Sequence, residues 1–204
     1  MTDSLLLKSN VAGSPEEQIE TFLFLSEQLI DNEPLQSYGY TKNALELAVM
    51  YELNDQRIKA FNSLAEVNFR LSKFEEAMES AIKAREASEK ENNKIEYIHA
   101  ILNMGNIYTS LGNYEKGSAY LYECLKRSED IQEVKFLARI LNSIGIIYHN
   151  QQNYEKSRDY YLRALDESKK WATLKELPED LITWVQYTAF VENMIKPGNT
   201  SWNH

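Results

Sequence analysis

Three histidines, His99, His149 and His204, are the side chains of this chain best suited to metal ligation or proton transfer. A zinc site gathers such residues with further His, Cys or carboxylate ligands at short spacing. None of the three has a second His or Cys within a helical turn, so they read as polar surface residues. The single cysteine, Cys124, is the one candidate thiol nucleophile, yet alanines stand forty residues before and after it, at Ala84 and Ala164. Packing explains it better than reactivity. The paired acids Glu75 and Glu76, and Glu89 with Glu91, offer acid–base chemistry only beside an apolar pocket, and they fall at helix ends and on polar faces instead. Gly105 and Gly112 lack the strand-turn-helix context and the Gly-Lys-Ser/Thr ending of a phosphate loop. No catalytic set, metal or cofactor is expected.

Bulk composition narrows the partners. With 204 residues, 43% hydrophobic and 26% charged, the chain is long enough for a real core. A formal net charge of -9 repels phosphate backbones and anionic lipid, so neither nucleic acid nor a membrane surface is an expected partner. One cysteine rules out an internal disulfide framework and suits a reducing, cytoplasmic setting. The start has no basic segment before an apolar core, and no run approaches a membrane span. Only 7 glycines and 4 prolines disfavour a many-turned β protein, leaving helices.

Punctuation and periodicity place those helices. Ser14, Pro15 and Glu17 form a capping-box start, and apolar steps run from there to about Ile30. A second helix, from Pro34 to about Leu53, carries Tyr40, Ala44, Leu47, Ala48 and Tyr51 along one side. Helices at 55–71 and 74–90 follow, then 94–111 with 114–130, and 134–150 with 154–170. The stretch "NMGNIYTSLGNYEKG" at 103–117 returns as "SIGIIYHNQQNYEKS" at 143–157.

That forty-residue offset organises the chain. Phe74, Tyr114 and Tyr154 form one column, and Ala65, Gly105 and Gly145 another. Ala77, Gly117 and Ser157 form a third, Ala84, Cys124 and Ala164 a fourth, and Ser88, Ser128 and Ser168 a fifth. Small residues alternating with large ones are what close helix-on-helix packing requires. The 13 tyrosines mostly sit at such repeat positions, among them Tyr108, Tyr114, Tyr148, Tyr154 and Tyr161, where core packing accounts for them.

Ile101, Met104, Gly105, Tyr108, Gly117 and Leu121 follow the W-x2-L-G-x2-Y, A-x3-F pattern, as do Leu141, Ile144, Gly145, Tyr148, Ser157 and Tyr161. Phe61, Leu64, Ala65, Ala77 and Ala81 repeat it, with Asn68 where tyrosine is expected. The chain therefore resembles a tetratricopeptide-repeat protein with a forty-residue unit, similar to those of bacterial signalling proteins. The resemblance implies an all-α fold, a right-handed superhelical solenoid of antiparallel helix pairs. Tryptophan is replaced by aliphatic or phenylalanine side chains and the closing proline is absent, as fits a longer second helix. The expected organisation is a flexible N-terminus over 1–13 and one repeat domain over 14–195. Its units are 14–54, 55–93, 94–133 and 134–173, followed by a terminal helix at 178–195 and a tail at 196–204. That last helix aligns as the first helix of a further unit, which suggests a chain continuing into another domain.

In a stacked helix-pair solenoid the first helix of each unit lines the concave side. That geometry puts Lys59, Asn62, Glu66 and Arg70 on the groove, then His99, Asn103 and Asn106, then Arg139, Asn142, Ile146 and His149. Asparagine amides both donate to and accept from an extended peptide, which singles out Asn62, Asn103 and Asn142. The family commonly binds an extended peptide or a protein tail, so the expected function is a non-enzymatic protein- or peptide-binding module, with a second copy of the chain as a further candidate partner. Lys59, Arg70 and Arg139 match only in part the clamp some members use for a C-terminal carboxylate. Two alternatives stay open: a regulatory input domain ahead of a diguanylate cyclase or histidine kinase, and a phosphatase regulator gated by a signalling peptide.

Overall fold

The computed structural model describes residues 13–131 and 134–174, and within α7 and α8 the side chains from Phe136 to Lys170. The expected terminal helix at 178–195, the tail at 196–204 and nearly all of the expected N-terminal segment lie outside the described residues. Eight α-helices and no strands make up the rest: α1 Pro15–Leu29, α2 Pro34–Met50, α3 Asn54–Arg70, α4 Phe74–Lys90, α5 Lys94–Ser110, α6 Tyr114–Ile131, α7 Val134–Asn150 and α8 Tyr154–Leu174. The chain divides into two compact units, Met1–Ile107 and Tyr108–His204. In the first, α1 packs on α2 and α3, and α3 on α2 and α4; in the second, α7 packs on α6 and α8.

From α2 onward the fully described turns between helices are built the same way. Glu52, Ser72, Asn92, Gly112 and Gln152, in register at multiples of twenty residues, adopt positive φ of 53°, 58°, 53°, 75° and 60°. The amide after each reaches back over the last turn, as Lys73 N donates to Asn68 O at 2.8 Å and Asn153 N to Tyr148 O at 2.8 Å. This is the Schellman ending, which satisfies carbonyls that a helix terminus leaves bare. Only Gly112 is the residue type that geometry favours.

The recurring Asn-Tyr-Glu-Lys phrase follows from the same turn. Asn113 Oδ1 accepts from Lys116 N at 3.1 Å and Asn153 Oδ1 from Lys156 N at 3.2 Å, so each asparagine caps the helix it precedes. Such a cap is worth about 1 kcal/mol. Asn93 caps α5 identically, through Glu96 N at 3.1 Å. The lysine then lies over the preceding tyrosine ring: Lys116 Nζ is 5.2 Å from the Tyr108 centroid and Lys156 Nζ 5.2 Å from that of Tyr148. Stacks of Tyr108 on Tyr120 at 5.7 Å and Tyr148 on Tyr160 at 5.4 Å complete the phrase. In the first unit Asn68 and Ser80 hold the corresponding positions, both buried.

The small-residue columns are buried throughout, with Ala84 and Cys124 at 0% exposure and Ala164 at 1%. They also reach back into α2, where the expected apolar side needs correction. Its buried residues are Ser37, Thr41, Ala44 and Ala48, while Tyr51 is exposed and Tyr40 half-buried. Those four continue the columns of Ala77, Ala81, Ala84 and Ser88 at the same forty-residue offset. Ala44 and Ala48 pack in an apolar cluster with Ile19 and Ala60, and beside them stands a hydroxyl cluster: Ser26 Oγ lies 2.8 Å from Ser37 Oγ and 2.6 Å from Thr41 Oγ1, which is 3.2 Å from Ser63 Oγ. Tyr154, expected in the core, is exposed and meets His149 edge-on at 5.5 Å.

Candidate functional site

The first helices of the first unit are α1, α3 and α5. Steps of three, four and seven residues put Lys59, Asn62, Glu66 and Arg70 on one side of α3, and Glu96, His99, Asn103 and Asn106 on one side of α5. Asn62 and Asn103 are buried, at 0% and 5% exposure. Asn62 Nδ2 donates to Glu96 Oε2 at 2.8 Å and to Glu96 O at 3.0 Å, and Asn103 Nδ2 donates to Asn62 O at 3.2 Å. The donors of both amides thus tie α5 to α3. Asn62 Oδ1 is buried and accepts no hydrogen bond. Asn106 is half-buried.

The cations of this face are engaged as well. Lys59 Nζ pairs with Glu20 of α1 at 2.6 Å and Arg70 with Asp31, in the turn that follows α1, at 3.1 Å. Such exposed pairs are worth little in stability, but they set the local charge. His99 Nε2 lies 2.9 Å from Glu66 Oε1 and its Nδ1 3.6 Å from Glu96 Oε2. Burial pushes the Glu96 carboxyl up. Hydrogen bonding and charge from His99, the Asn62 amide and the Lys59 charge more than offset that, holding it below its ordinary 4.5. The folded value is depressed, so Glu96 contributes stability that is present above pH 4.5 and lost as the pH falls through its lower folded value. Glu96→Gln removes that contribution: its urea midpoint is expected to change less than the wild type's between pH 7 and pH 4, and equal changes would assign the acid sensitivity elsewhere.

In the second unit Arg139, Asn142, Ile146 and His149 share one side of α7, and all four are half-buried. The Arg139 guanidinium stands 5.9 Å from the Phe136 ring. Beside the Tyr148 and Tyr160 stack, Tyr122 OH lies 3.0 Å from Tyr148 OH and 3.1 Å from Tyr160 OH. Burial, then the hydrogen bonds with Tyr148 and Tyr160, push the Tyr122 phenol well up. That triad was not anticipated, because Tyr122 falls outside the matched columns. Cys124 is buried, and desolvation followed by the Glu123 charge raises its thiol, leaving it unsuited to nucleophilic work. Glu75, Glu76, Glu89 and Glu91 are all exposed. Among the described residues no group of three or more His, Cys, Asp or Glu is placed to hold a metal ion, and no helix is long and apolar enough to cross a membrane.

Helix pairs joined at positive-φ turns, with a small residue at each crossing, recur in both units, and stacked tyrosines join them in the second. The family model for the tetratricopeptide repeat matches residues 96–170. Over that stretch the chain is similar to tetratricopeptide repeats. Solved structures extend the likeness over more of the chain. Aspartyl phosphate phosphatase F from Bacillus subtilis is 20% identical with a TM-score of 0.65, covering 79% of this chain and 43% of its own. A Rap protein complexed with competence and sporulation factor is 21% identical with a TM-score of 0.69, at 79% and 45% coverage. The signal transduction ATPase with a tetratricopeptide repeat sensor from Pyrococcus horikoshii is 21% identical, with a TM-score of 0.61, at 80% and 25%. At these identities what is shared is the tetratricopeptide-like fold. This chain spans less than half the length of each of the three. No curated protein matches it in sequence.

Proposed function

We propose that this chain is a non-enzymatic module that binds a protein or extended peptide along the first helices of its repeats. The observation that carries the reading is made in each unit by itself: Asn106 lies on α5 of the first, and Asn142, Ile146 and His149 lie along one side of α7 of the second. In each unit these residues are half-buried on a first helix. The similar Rap structure holds competence and sporulation factor, which supports peptide recognition as a use of this fold. With Asn62 and Asn103 engaged inside the first unit, the amides that remain on these first-helix sides are Asn106 in the first unit and Asn142 in the second. The double change Asn106→Ala with Asn142→Ala is expected to weaken partner binding roughly tenfold or more, a loss of about 1.4 kcal/mol or more. Its melting temperature should stay within a degree or so of the wild type. Calorimetry against a partner identified by photo-cross-linking from position 142 measures this, and unchanged affinity would move the site away from the first helices.

A second reading, a sensory segment within a larger signalling protein, draws support from the fold shared with a much longer ATPase that carries a repeat sensor. The mass of the native protein, taken from its source cells by immunoblot, tests it. A species of about the mass of this chain alone would sink that reading.

A further inference from the structure

We infer that the first-helix face of the first unit receives a cationic protein segment, one carrying arginine or lysine next to an apolar side chain. This rests on the peptide-binding reading and names the chemistry of the peptide. Four carboxylates meet on this face, Glu20, Asp31, Glu66 and Glu96, against two permanent cations, Lys59 and Arg70. Each of those cations already lies within an ion pair, so an incoming carboxylate finds both engaged and meets a surplus of negative charge. A basic segment meets the opposite field.

An independent observation points the same way. Asn62 Oδ1 is a fully buried acceptor with no donor, and a protein interior seldom leaves such an atom unmatched. Its own amide nitrogen grips Glu96, so the missing group is a donor arriving beside that carboxylate. A guanidinium supplies several donors and no acceptor, and suits the Glu96 and Glu66 carboxylates on either side of His99. The contact it displaces is the long one, 3.6 Å, between His99 Nδ1 and Glu96. Phe24 completes the surface. It stands one turn beyond Glu20 on α1, on the side that leads to Asp31, and 49% of it is exposed. That ring offers the apolar neighbour a seat and a passing cation a π face.

Fluorescence anisotropy with two labelled peptides tests this at about 0.15 M salt. One alternates arginine with leucine, and the other alternates glutamate with leucine. The arginine peptide is expected to bind at least tenfold more tightly, and Glu66→Gln and Phe24→Ala each to weaken it by roughly three- to tenfold. Glu46→Gln, an exposed acid on α2, should leave it unchanged. Equal or better binding of the glutamate peptide, binding of neither, or equal losses for Glu66→Gln and Glu46→Gln would overturn the inference. So would complete displacement of the arginine peptide by spermine at matched charge, which would mean a diffuse field rather than a segment site. A glutamate peptide that binds and is lost in the Asn106→Ala, Asn142→Ala protein would sink the cationic segment and leave the peptide-binding reading standing.

Discussion

Gly145→Ala is expected to destabilise the protein by about 1–3 kcal/mol, although alanine is the better helix former. A Cβ at that position would lie 2.6 Å from Cε1 and 2.7 Å from Cδ1 of Tyr161, distances that real carbon contacts do not reach. The Tyr161 ring from α8 is laid on the backbone of α7, so the chain must either expel the ring or part the two helices. Either route loses packed area, and a methyl group gains little in return. For a chain of this size about 2 kcal/mol lowers the melting temperature by roughly 4–8 °C, read by circular dichroism. The double change with Tyr161→Ala isolates the cause. If the ring is the obstacle, the two effects are strongly non-additive, with a coupling on the order of 0.5–3 kcal/mol, whereas independent effects would place the strain elsewhere.

That collision explains why the repeat was so readable. A small residue forced by a backbone crossing recurs at a fixed offset, and the columns at Ala84, Cys124 and Ala164 or at Ser88, Ser128 and Ser168 are all buried. Helix limits were legible for a related reason: five of the described turns carry a positive-φ residue in register, so the breaks keep step. The buried side of α2 was legible in principle, because Ser37, Thr41, Ala44 and Ala48 extend those columns. Aromatic residues on the neighbouring stripe drew attention away from it. Small polar side chains carry a weak hydrophobic signal even when hydroxyl bonds such as Ser26 to Thr41 let them be buried.

The candidate surface was legible as a side of a helix and illegible as a set of available atoms. Periodicity places Asn62, Asn103, Asn106 and Asn142 together, but it cannot say which amide already has a partner. For Asn62 that partner is Glu96, 34 residues away, and for Lys59 it is Glu20, 39 residues away. A repeat-length offset brings such pairs together only once the helices are stacked. One local clue was present: Lys59, His99 and Arg139 form a basic column at the forty-residue offset. In the first unit both members of that column are answered by carboxylates. The column therefore belongs to the stacking of first helices as well as to any ligand.

The same turns that keep the repeat in step also hold its most accessible reserve of stability. Glu52, Ser72 and Gln152 stand at φ of 53°, 58° and 60° with their side chains exposed. An L-residue in that region costs about 1–2 kcal/mol, because its Cβ crowds the following carbonyl. Glycine removes the clash but restores roughly 0.5–1 kcal/mol of disorder to the unfolded chain, leaving a net gain of about 0.5–1 kcal/mol at each site. The three lie in separate turns, so Glu52→Gly, Ser72→Gly and Gln152→Gly should add to about 2 kcal/mol, raising the melting temperature by roughly 4–8 °C. Asn92 is left in place, since asparagine tolerates this conformation through its short polar side chain. Gly112, at φ of 75°, supplies the opposite test. No neighbouring atom lies within 4 Å of a Cβ built there, so the loss of about 1 kcal/mol expected for Gly112→Ala comes from backbone strain alone. Thermal melts of the triple variant and of Gly112→Ala, run side by side, decide the matter. If both move in the same direction, the turns are not where the strain resides.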